Sequence, residues 1–225
     1  AVTVTSANDN APVITSAATA SVAENTTAVM TVTATDADQP AQTLSYSIVG
    51  GADAAKFSIN ASTGALSFVS APDFEVPTDA GGDNVYDVIV QVADGQGGTD
   101  SQAIAVTVTS ANDNAPVITS GSTASVAENT TAVMTVTATD ADQPAQTLTY
   151  SIVGGADAAK FSINASTGAL SFLAAPDFET PTDVGGDNVY DVIVQVADGQ
   201  GGTDSQAIAV TVTSANDNAP VITSA

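Results

Sequence analysis

Acidic and carboxamide side chains recur in short groups along this chain, and their oxygen atoms are suited to binding a hard metal ion. Examples are Asp36-Ala-Asp38, Asp73-Phe-Glu75 and Asn112-Asp113-Asn114. Each group lies near predicted turns, whereas acids that served only solubility would be scattered along exposed strand faces. Calcium accepts about six to eight oxygen ligands in a flexible geometry. The spacing therefore predicts cation binding by grouped carboxylates.

The composition excludes several other kinds of chemistry. The chain of 225 residues has 25 Asp and Glu against two lysines, giving a formal charge of −23, so it cannot neutralise a nucleic-acid backbone. It has no His or Cys, which excludes His-based triads, cysteine nucleophiles, disulfides and ordinary zinc sites. Hydrophobic residues make up 44%, enough to build cores. We expect no membrane span and recognise no signal peptide, because apolar runs are short and the first residues are already mid-pattern.

The sequence repeats with a period of 104 residues, from Ser6 to Ser110 and again to Ser214. A period of about 100 residues fits one small domain per repeat. The prediction is two tandem domains, 1–111 and 112–225, the second ending with the start of a third linker. Aligning 1–104 with 105–208 leaves seven differences, none at an acidic residue: Ala17/Gly121, Ala18/Ser122, Ser45/Thr149, Val69/Leu173, Ser70/Ala174, Val76/Thr180 and Ala80/Val184.

Apolar residues alternate with polar ones through each repeat, which is the period of two expected for strands. Thr and Val are abundant, no segment has a convincing helical stripe, and turn residues separate the alternating segments. The pattern predicts an all-β fold of tandem seven-stranded antiparallel β-sandwiches. In the first repeat the strands are expected near residues 19–23, 30–34, 44–48, 57–59, 66–68, 86–92 and 104–108.

Side chains outside the acidic groups have simpler interpretations. Tyr46, Phe57, Phe68 and Tyr86 are in phase with the core strands, so packing is favoured over a sugar-binding platform. Loop residues 79–84 fit either a turn stabilised by Asx side chains or an additional ion site. The remaining charged residues are expected to be ordinary surface groups, the lysines being solubilising: Asp53, Asp87, Asp100, Lys56 and Lys160.

Seven segments, in order, resemble the cadherin repeat and together cover nearly the whole period. They are Val22-Ala-Glu24-Asn25, Thr35-Asp36-Ala-Asp38, Leu44-Ser-Tyr46-Ser-Ile48, Phe57-Ser-Ile59-Asn-Ala-Ser-Thr-Gly64, Asp73-Phe74-Glu75, Val90-Gln-Val-Ala-Asp94 and Asn112-Asp113-Asn114-Ala-Pro116. The resemblance implies a cadherin- or immunoglobulin-like sandwich with up to three Ca²⁺ ions at the junction of consecutive domains.

The resemblance also implies which residues bind Ca²⁺. At the central junction they are Glu24, Asp73, Glu75, Asn112, Asp113, Asn114, Asp140, Asp142 and Asp198, with Asn114 and a residue near Gln146 binding through backbone carbonyls. A half-site is expected at each end of the chain. The first comprises Asn8, Asn10, Asp36, Asp38 and Asp94. The second should bind more weakly because no domain follows it, and comprises Glu128, Asp177, Glu179, Asn216, Asp217 and Asn218.

Three features depart from animal cadherins. Ser110 stands where the family linker often begins with an acid, and no Trp is present for strand-swap adhesion. The loop 77–84 and the near-identical units resemble bacterial cadherin-like repeats, as in the extender region of giant RTX-type adhesins.

These resemblances imply a non-enzymatic, calcium-stiffened spacer on the bacterial cell surface, with calcium ions and adjacent repeats as partners and the isolated fragment monomeric. The alternatives are a calcium-dependent polysaccharide-binding module and a homophilic cell-adhesion module. Exposed aromatic residues would favour the first alternative, and calcium-dependent self-association would favour the second.

Overall fold

The computed structural model describes residues 2–3 and 7–222, and it divides into two units, 1–111 and 112–225. Each unit is built from strands and one short 3-10 turn, Ala54–Lys56 in the first and Ala158–Lys160 in the second. The first unit contains β1 (Val13–Ile14), β2 (Thr19–Ala23), β3 (Ala28–Thr31), β4 (Ala34–Thr35), β5 (Ser45–Gly50), β6 (Phe57–Ile59), β7 (Ala65–Phe68), β8 (Val85–Ala93) and β9 (Thr99–Thr109).

The second unit repeats the same order of elements. Its strands are β10 (Val117–Ile118), β11 (Thr123–Ala127), β12 (Ala132–Thr135), β13 (Ala138–Thr139), β14 (Thr149–Gly154), β15 (Phe161–Ile163), β16 (Ala169–Phe172), β17 (Val189–Ala197) and β18 (Thr203–Thr213).

Two sheets face each other in each unit, which confirms the all-β sandwich class. In the first unit a four-stranded sheet has the order β2-β9-β8-β5, and a three-stranded sheet has the order β3-β7-β6. Two details differ from the expectation. The strand expected at residues 30–34 is divided between β3 and β4, and β4 pairs with an additional short strand, β1. Strand β2 pairs with β9 in parallel, with Ala23 opposite Thr109. Strand β2 thus runs beside β9 to its C-terminal end, and the backbone N–H of Glu24 donates to the carbonyl of Thr109 (3.0 Å).

The core of each unit forms between the two sheets from the alternating residues of the long strands. Val88, Val90 and Val106 are at most 1% exposed. Phe57 and Phe68 stack with ring centroids 4.6 Å apart, and Tyr86 meets both rings edge-on. The aromatic side chains are therefore packing residues, as their phase predicted. No helix within 2–3 and 7–222 is long and apolar enough to cross a membrane.

Candidate metal site

Three carboxylates converge in the second unit beyond the end of β18. Glu128, Glu179 and Asp217 each place one carboxylate oxygen within 4.8 Å of the others. We call these three residues the C-end cluster. Glu128 is only 2% exposed, whereas the other two face solvent. Oxygen ligands from three separate segments could hold a hard cation here.

Glu128 reaches the cluster because β11 runs parallel to β18 and ends beside it. Its N–H donates to the carbonyl of Thr213 (3.0 Å). Its Oε1 accepts from the N–H of Ala215 (2.6 Å), and its Oε2 accepts from the N–H of Phe178 (2.8 Å). One buried carboxylate therefore ties the segment after β18 to the loop that carries Glu179.

The residue after Glu128 also contributes, although sequence reasoning gave it no role. Asn129 has a φ of 61°, a conformation that Asn tolerates better than most residues. Its Nδ2 donates to Oδ2 of Asp217 (2.6 Å). The sequence signal that could have identified this contact is an Asn directly after an expected ligand, Glu128.

The first unit has the same arrangement around Glu24, which is 2% exposed. Its Oε1 accepts from the N–H of Ala111 (2.7 Å), and its Oε2 accepts from the N–H of Phe74 (2.6 Å). The hydroxyl of Ser110 donates to Oε1 of Glu75 (3.3 Å). Ser110 departs from the family pattern, but its hydroxyl places the chain end of this unit against an expected ligand.

Asp73 and Asp177 each accept hydrogen bonds within their own loop. Oδ1 of Asp73 accepts from the N–H groups of Glu75 (3.0 Å) and Val76 (3.1 Å), which makes an Asx turn. The side chain of Thr180 and the backbone amides of Thr180 and Glu179 lower the pKa of Asp177, although burial opposes this. Asp177 is not one of the three carboxylates that converge in the C-end cluster.

Three further expected ligands lie before β18 in the sequence. We call Asp140, Asp142 and Asp198 the N-end residues, and the corresponding residues of the first unit are Asp36, Asp38 and Asp94. Asp142 is 1% exposed and accepts from the N–H and Nδ2 of Asn114, the latter at 2.8 Å. The N–H of Asp142 in turn donates to Oδ1 of Asp140 (3.1 Å). The residues that begin the unit are thus bound to its buried carboxylates.

Asp198 is positioned by the turn that precedes β18. Its Oδ1 accepts from the N–H groups of Gln200 (2.7 Å) and Gly202 (3.1 Å). These amides, Gln200 first, and the side chain of Asn112 lower its pKa, while burial opposes them. A Cβ on Gly202 would overlap Oδ2 of Asp198 and lie 3.1 Å from Cα of Ala115. Any larger residue here would therefore have to displace the Asp198 carboxylate, a role for glycine that the sequence analysis did not assign.

The first unit repeats these contacts with its own residues. Asn10 donates to Asp38 through its N–H (3.0 Å) and its Nδ2 (2.6 Å), and the N–H of Asp38 donates to Asp36 (3.0 Å). The pKa of Asp38 is lowered chiefly by the side chain of Asn10, against the effect of burial. The pKa of Asp94 is lowered first by the backbone amide of Gln96, with the side chain of Asn8 contributing.

One oxygen of Asp36 and one of Asp140 are placed as cation ligands would be. Oδ2 of Asp36 and Oδ2 of Asp140 are buried atoms without a hydrogen-bond partner in the described part of the chain. A buried carboxylate oxygen left without a donor is costly, and a bound cation would satisfy it. Oxygen-only ligands favour calcium or magnesium over transition metals, and an irregular set from several segments favours calcium.

The second unit carries Asp198 and the C-end cluster at opposite ends of its longest strand. In the second unit Asp198 precedes β18 and Glu128 is bonded to its last residue, Thr213. Eleven residues of extended chain measure roughly 35 Å. A strand of this length, buried on one face, links the two candidate sites within one unit.

Other acids accept hydrogen bonds from backbone amides of their own unit, and two expectations about these acids are wrong. Asp53 was expected at the surface, but it is 5% exposed, and its oxygens accept from the N–H groups of Ala80 (2.7 Å) and Asp87 (2.9 Å). Asp100 is not a plain surface charge, because its Oδ2 accepts from the N–H of Ile14 (2.9 Å) at the β1 strand. Both carboxylates hold distant backbone segments in place.

The loop after Glu75 has the hydrogen bonds of an Asx-stabilised turn. Asp79 accepts from the N–H groups of Asp83 (3.0 Å) and Asn84 (3.2 Å), and Asp83 accepts from Val85 (3.1 Å). Burial acts to raise the pKa of Asp79, but these backbone hydrogen bonds lower it overall. Asn84 has a φ of 62° and donates through Nδ2 to the carbonyl of Phe74 (2.9 Å). This favours the turn over an additional ion site.

Comparison with known proteins identifies the family. Residues 18–109 and 122–213 match the family model described as the cadherin domain, so the chain belongs to that family. It is 32% identical to human protocadherin Fat 1 over 189 residues, covering 79% of this chain and 4% of the relative. It is 33% identical to mouse protocadherin Fat 4 over 204 residues, covering 86% and 4%. The chain thus spans a small fraction of these animal relatives.

Solved structures agree on the fold. The chain superposes on mouse cadherin-23 EC22-24 with a TM-score of 0.68 and 26% identity, covering 94% of this chain and 67% of that one. For human protocadherin-24 EC1-2 the TM-score is 0.71 at 20% identity, covering 93% and 100%, which supports the fold alone. Cadherin domains are extracellular repeats of adhesion proteins that generally bind Ca²⁺ at their linkers, and the acidic clusters are compatible with this.

Proposed function

We propose that these units are calcium-stabilised spacer repeats of an extracellular adhesin, in which Ca²⁺ at each linker stiffens the array that carries a distal binding domain. The observation that carries the proposal is that backbone N–H groups on both sides of the linker donate hydrogen bonds to buried carboxylates. Ala111, the last residue of the first unit, is bonded to Glu24, and Asn114, near the start of the second, is bonded to Asp142. Buried carboxylates of each unit therefore hold neighbouring parts of one short segment.

Electrostatics explains why a cation would control this linker. Each 104-residue period has 12 acids and one lysine, so side chains of the chain itself cannot neutralise the grouped carboxylates. Like charges repel each other when they lie as close together as the carboxylate oxygens of the C-end cluster, which are within 4.8 Å of one another. Bound calcium supplies bonds to several carboxylates at once and replaces their repulsion with attraction. Because calcium binds most tightly when the carboxylates around the linker are held together, bound calcium should reduce bending at the linker.

The ligands that we propose for the central junction are drawn from the C-end residues of the first unit, the linker and the N-end residues of the second. By repetition of the sequence, Asp113 corresponds to Asp217, which converges with Glu128 and Glu179. The full set remains Glu24, Asp73, Glu75, Asn112, Asp113, Asn114, Asp140, Asp142 and Asp198.

A bacterial extender region is the specific setting that we propose. Two features support it: the two copies differ at only seven of 104 positions, and the loop 77–84 lengthens the connection before β8. Near-identical units suit a mechanical role, because a spacer requires the same joint to be repeated.

Small-angle X-ray scattering tests the spacer role. We expect the maximum dimension to be longer and better defined in calcium than in excess chelator. Asp113→Asn should shift this transition to higher calcium. Asp217→Asn is the matched control, because it removes the same carboxylate from a segment followed by only eight residues in this chain. Its scattering transition should match that of the unchanged chain.

Two outcomes would contradict the proposal. If chelation leaves the scattering curve unchanged, the acids are surface charge and fold-stabilising groups only. If Asp113→Asn and Asp217→Asn shift the calcium dependence of the scattering equally, the linker carboxylate has no special role between units. Circular dichroism of each variant would establish that both sandwiches remain folded.

A further inference from the structure

Each unit has a groove that is separate from the C-end cluster and the N-end residues. Of the expected calcium ligands, only Asp73 or Asp177 lines it. In the first unit it measures about 490 Å³ and opens between the 3-10 turn, the segment after β7 and the side chain of Tyr86. The second unit has the same groove, about 400 Å³. These volumes are in the range of small-molecule sites.

The single cation of each repeat lies in this groove. Lys56 lines the first groove and Lys160 the second, and the chain has no other lysine or arginine. Both lysines are exposed, and across residues 2–3 and 7–222 neither forms an ion pair within 4.0 Å. Oδ1 of Asp73, the carboxylate at the groove edge, is already bonded to two backbone amides. In a chain with 25 acids, each ammonium group is thus available to an external anion.

The walls of the groove are largely apolar. Phe68 and Pro72 are buried at its base, whereas Val69 and Val76 at the rim are 63% and 62% exposed. Exposed valines beside a concave surface leave apolar area that a ligand could cover. The hydroxyl of Tyr86 is occupied at its acceptor side by the N–H of Thr78 (3.3 Å). The first groove therefore combines the ammonium group of Lys56 with a mostly apolar wall and with the carboxylate of Asp73 at its edge.

Differences between the two repeats are concentrated in this groove. Eleven of the 104 positions line it, yet three of the seven differences are among them: Val69/Leu173, Ser70/Ala174 and Val76/Thr180. The lysine, the buried aromatic residues and the proline are the same in both grooves. The charge is therefore constant, while the size and polarity of the wall differ, and the larger Leu173 accompanies the smaller volume.

We propose that each groove binds a small organic monocarboxylate with an apolar body, whose carboxylate pairs with Lys56 or Lys160. Charge complementarity selects the anion, because the ammonium is the only positive side chain of the repeat and forms no ion pair with the residues that the structure describes. The aliphatic wall selects an apolar body over a hydroxylated one. Leu173 narrows the second groove, so bulkier acids bind the first groove more tightly than the second.

Heteronuclear NMR of the whole chain in calcium-containing buffer tests the proposal. The amides of Val69 and Leu173 report the two grooves separately, because these positions differ in residue type. The probe is sodium benzoate, and benzamide is the matched neutral control. We expect benzoate to shift both amides and benzamide to bind about five-fold more weakly, the size expected for an exposed ion pair.

Each groove also serves as the internal control for the other. Lys56→Gln should weaken the benzoate response at Val69 about five-fold and leave the response at Leu173 unchanged, and Lys160→Gln should do the reverse. An unchanged response in the untouched groove shows that the variant is folded. Val69→Leu should reduce the preference of the first groove for bulkier acids.

Three results would overturn the proposal. Equal binding of benzoate and benzamide would mean that the lysine does not recognise charge. Tighter binding of sodium glucuronate than of benzoate would assign the groove to hydroxylated ligands instead. The absence of any shift at tens of millimolar benzoate would mean that the groove is not a carboxylate site. None of these results bears on calcium at the linkers, so the two proposals fail independently.

Discussion

Two sets of acidic residues in each unit have buried carboxylate oxygens that are satisfied in different ways. We call Asp53 and Asp79, with their counterparts Asp157 and Asp183, the amide-bound acids. They are 5% and 8% exposed in the first unit, and both oxygens of each accept hydrogen bonds from backbone amides. Among the N-end residues, Asp38 is 3% exposed and accepts from Asn10 through both oxygens, but its half-buried neighbour Asp36 keeps a buried oxygen without a hydrogen-bond partner among the residues described.

The difference teaches that burial of an acid does not by itself indicate a metal site. Where backbone donors reach both oxygens of an acid that belongs to no converging group, as at Asp53, the negative charge is stabilised by the fold and no cation is needed. Where an oxygen is buried without a donor, or where three carboxylates converge, the protein alone does not satisfy the charge. Calcium should therefore change the stability contributed by the C-end cluster and the N-end residues, and leave the contribution of the amide-bound acids unchanged.

The largest expected effect comes from removing an amide-bound acid. Asp53→Ala leaves two backbone N–H groups without their acceptor, so the free energy of unfolding of the first unit should fall by about 3 kcal/mol. Urea denaturation should give the same loss in calcium and in chelator. Asp87→Ala, at an exposed side chain, is the control and should change stability little. A loss that appears only in chelator would erase the distinction between the two sets.

Removal of calcium should have the next largest effect on stability, through the C-end cluster and the N-end residues. At calcium 100-fold above its Kd, binding stabilises the folded state by about 2.7 kcal/mol. Scanning calorimetry should therefore show a lower Tm in chelator, and Asp142→Asn should reduce that difference. Asp191→Asn, an exposed acid in the same unit, should retain the full difference. If both variants respond to chelation alike, Asp142 is not a calcium ligand.

A smaller effect is expected from the glycine beside Asp198. Gly202→Ala forces a methyl group against Oδ2 of that residue and Cα of Ala115, which should cost about 1–2 kcal/mol and weaken calcium binding. Gly121→Ala is the matched control, because the first repeat already has Ala17 there and the added Cβ meets only the carbonyl of Thr123 at 3.9 Å. Calorimetry with isothermal calcium titration measures both effects. Equal behaviour of the two variants would contradict the close packing around Asp198.

The smallest effect concerns pH. The folded-state pKa of Asp79 and of Asp183 is lowered because backbone amides outweigh burial, so each contributes stability above the ordinary value of about 3.9. This stability is lost as the pH falls through the lowered folded-state pKa. In chelator, urea denaturation between about pH 5 and pH 2 should show a shallower loss for Asp79→Asn than for the unchanged chain. Identical slopes would remove the amide-bound acids from the acid transition.

The expected strands agree with the structure because each strand signal is local. The period of two between Val85 and Ala93 requires one buried face, and that face packs between the sheets. The parallel pairing of β2 with β9 was not predicted, since residues 19–23 contain no information on which of several strands they will join. Strand β1, and the division of the strand expected at 30–34 into β3 and β4, were missed for a related reason, because two residues carry too little pattern to be recognised as a strand.

The candidate ligands divide in the same way. The motif Asp73-Phe-Glu75 correctly marked an acidic element end, but the sequence did not separate Glu75 from Asp73, whose Oδ1 is used within its own turn. Asp53 was missed as a structural residue because its two amide donors are 27 and 34 residues away in the sequence. Contacts over such distances depend on how the strands pack.

The sequence by itself determined the chemistry available to this protein: oxygen ligands in excess, one cation per repeat, and strands that alternate faces. These follow from composition and from the fixed geometry of extended chain. Only the tertiary structure decided which carboxylates meet, as at Glu128, Glu179 and Asp217, and which are bound by amides, as at Asp157. The physical reason is that a carboxylate binds whichever donor folding brings within about 3 Å, and that donor is set by packing between distant segments.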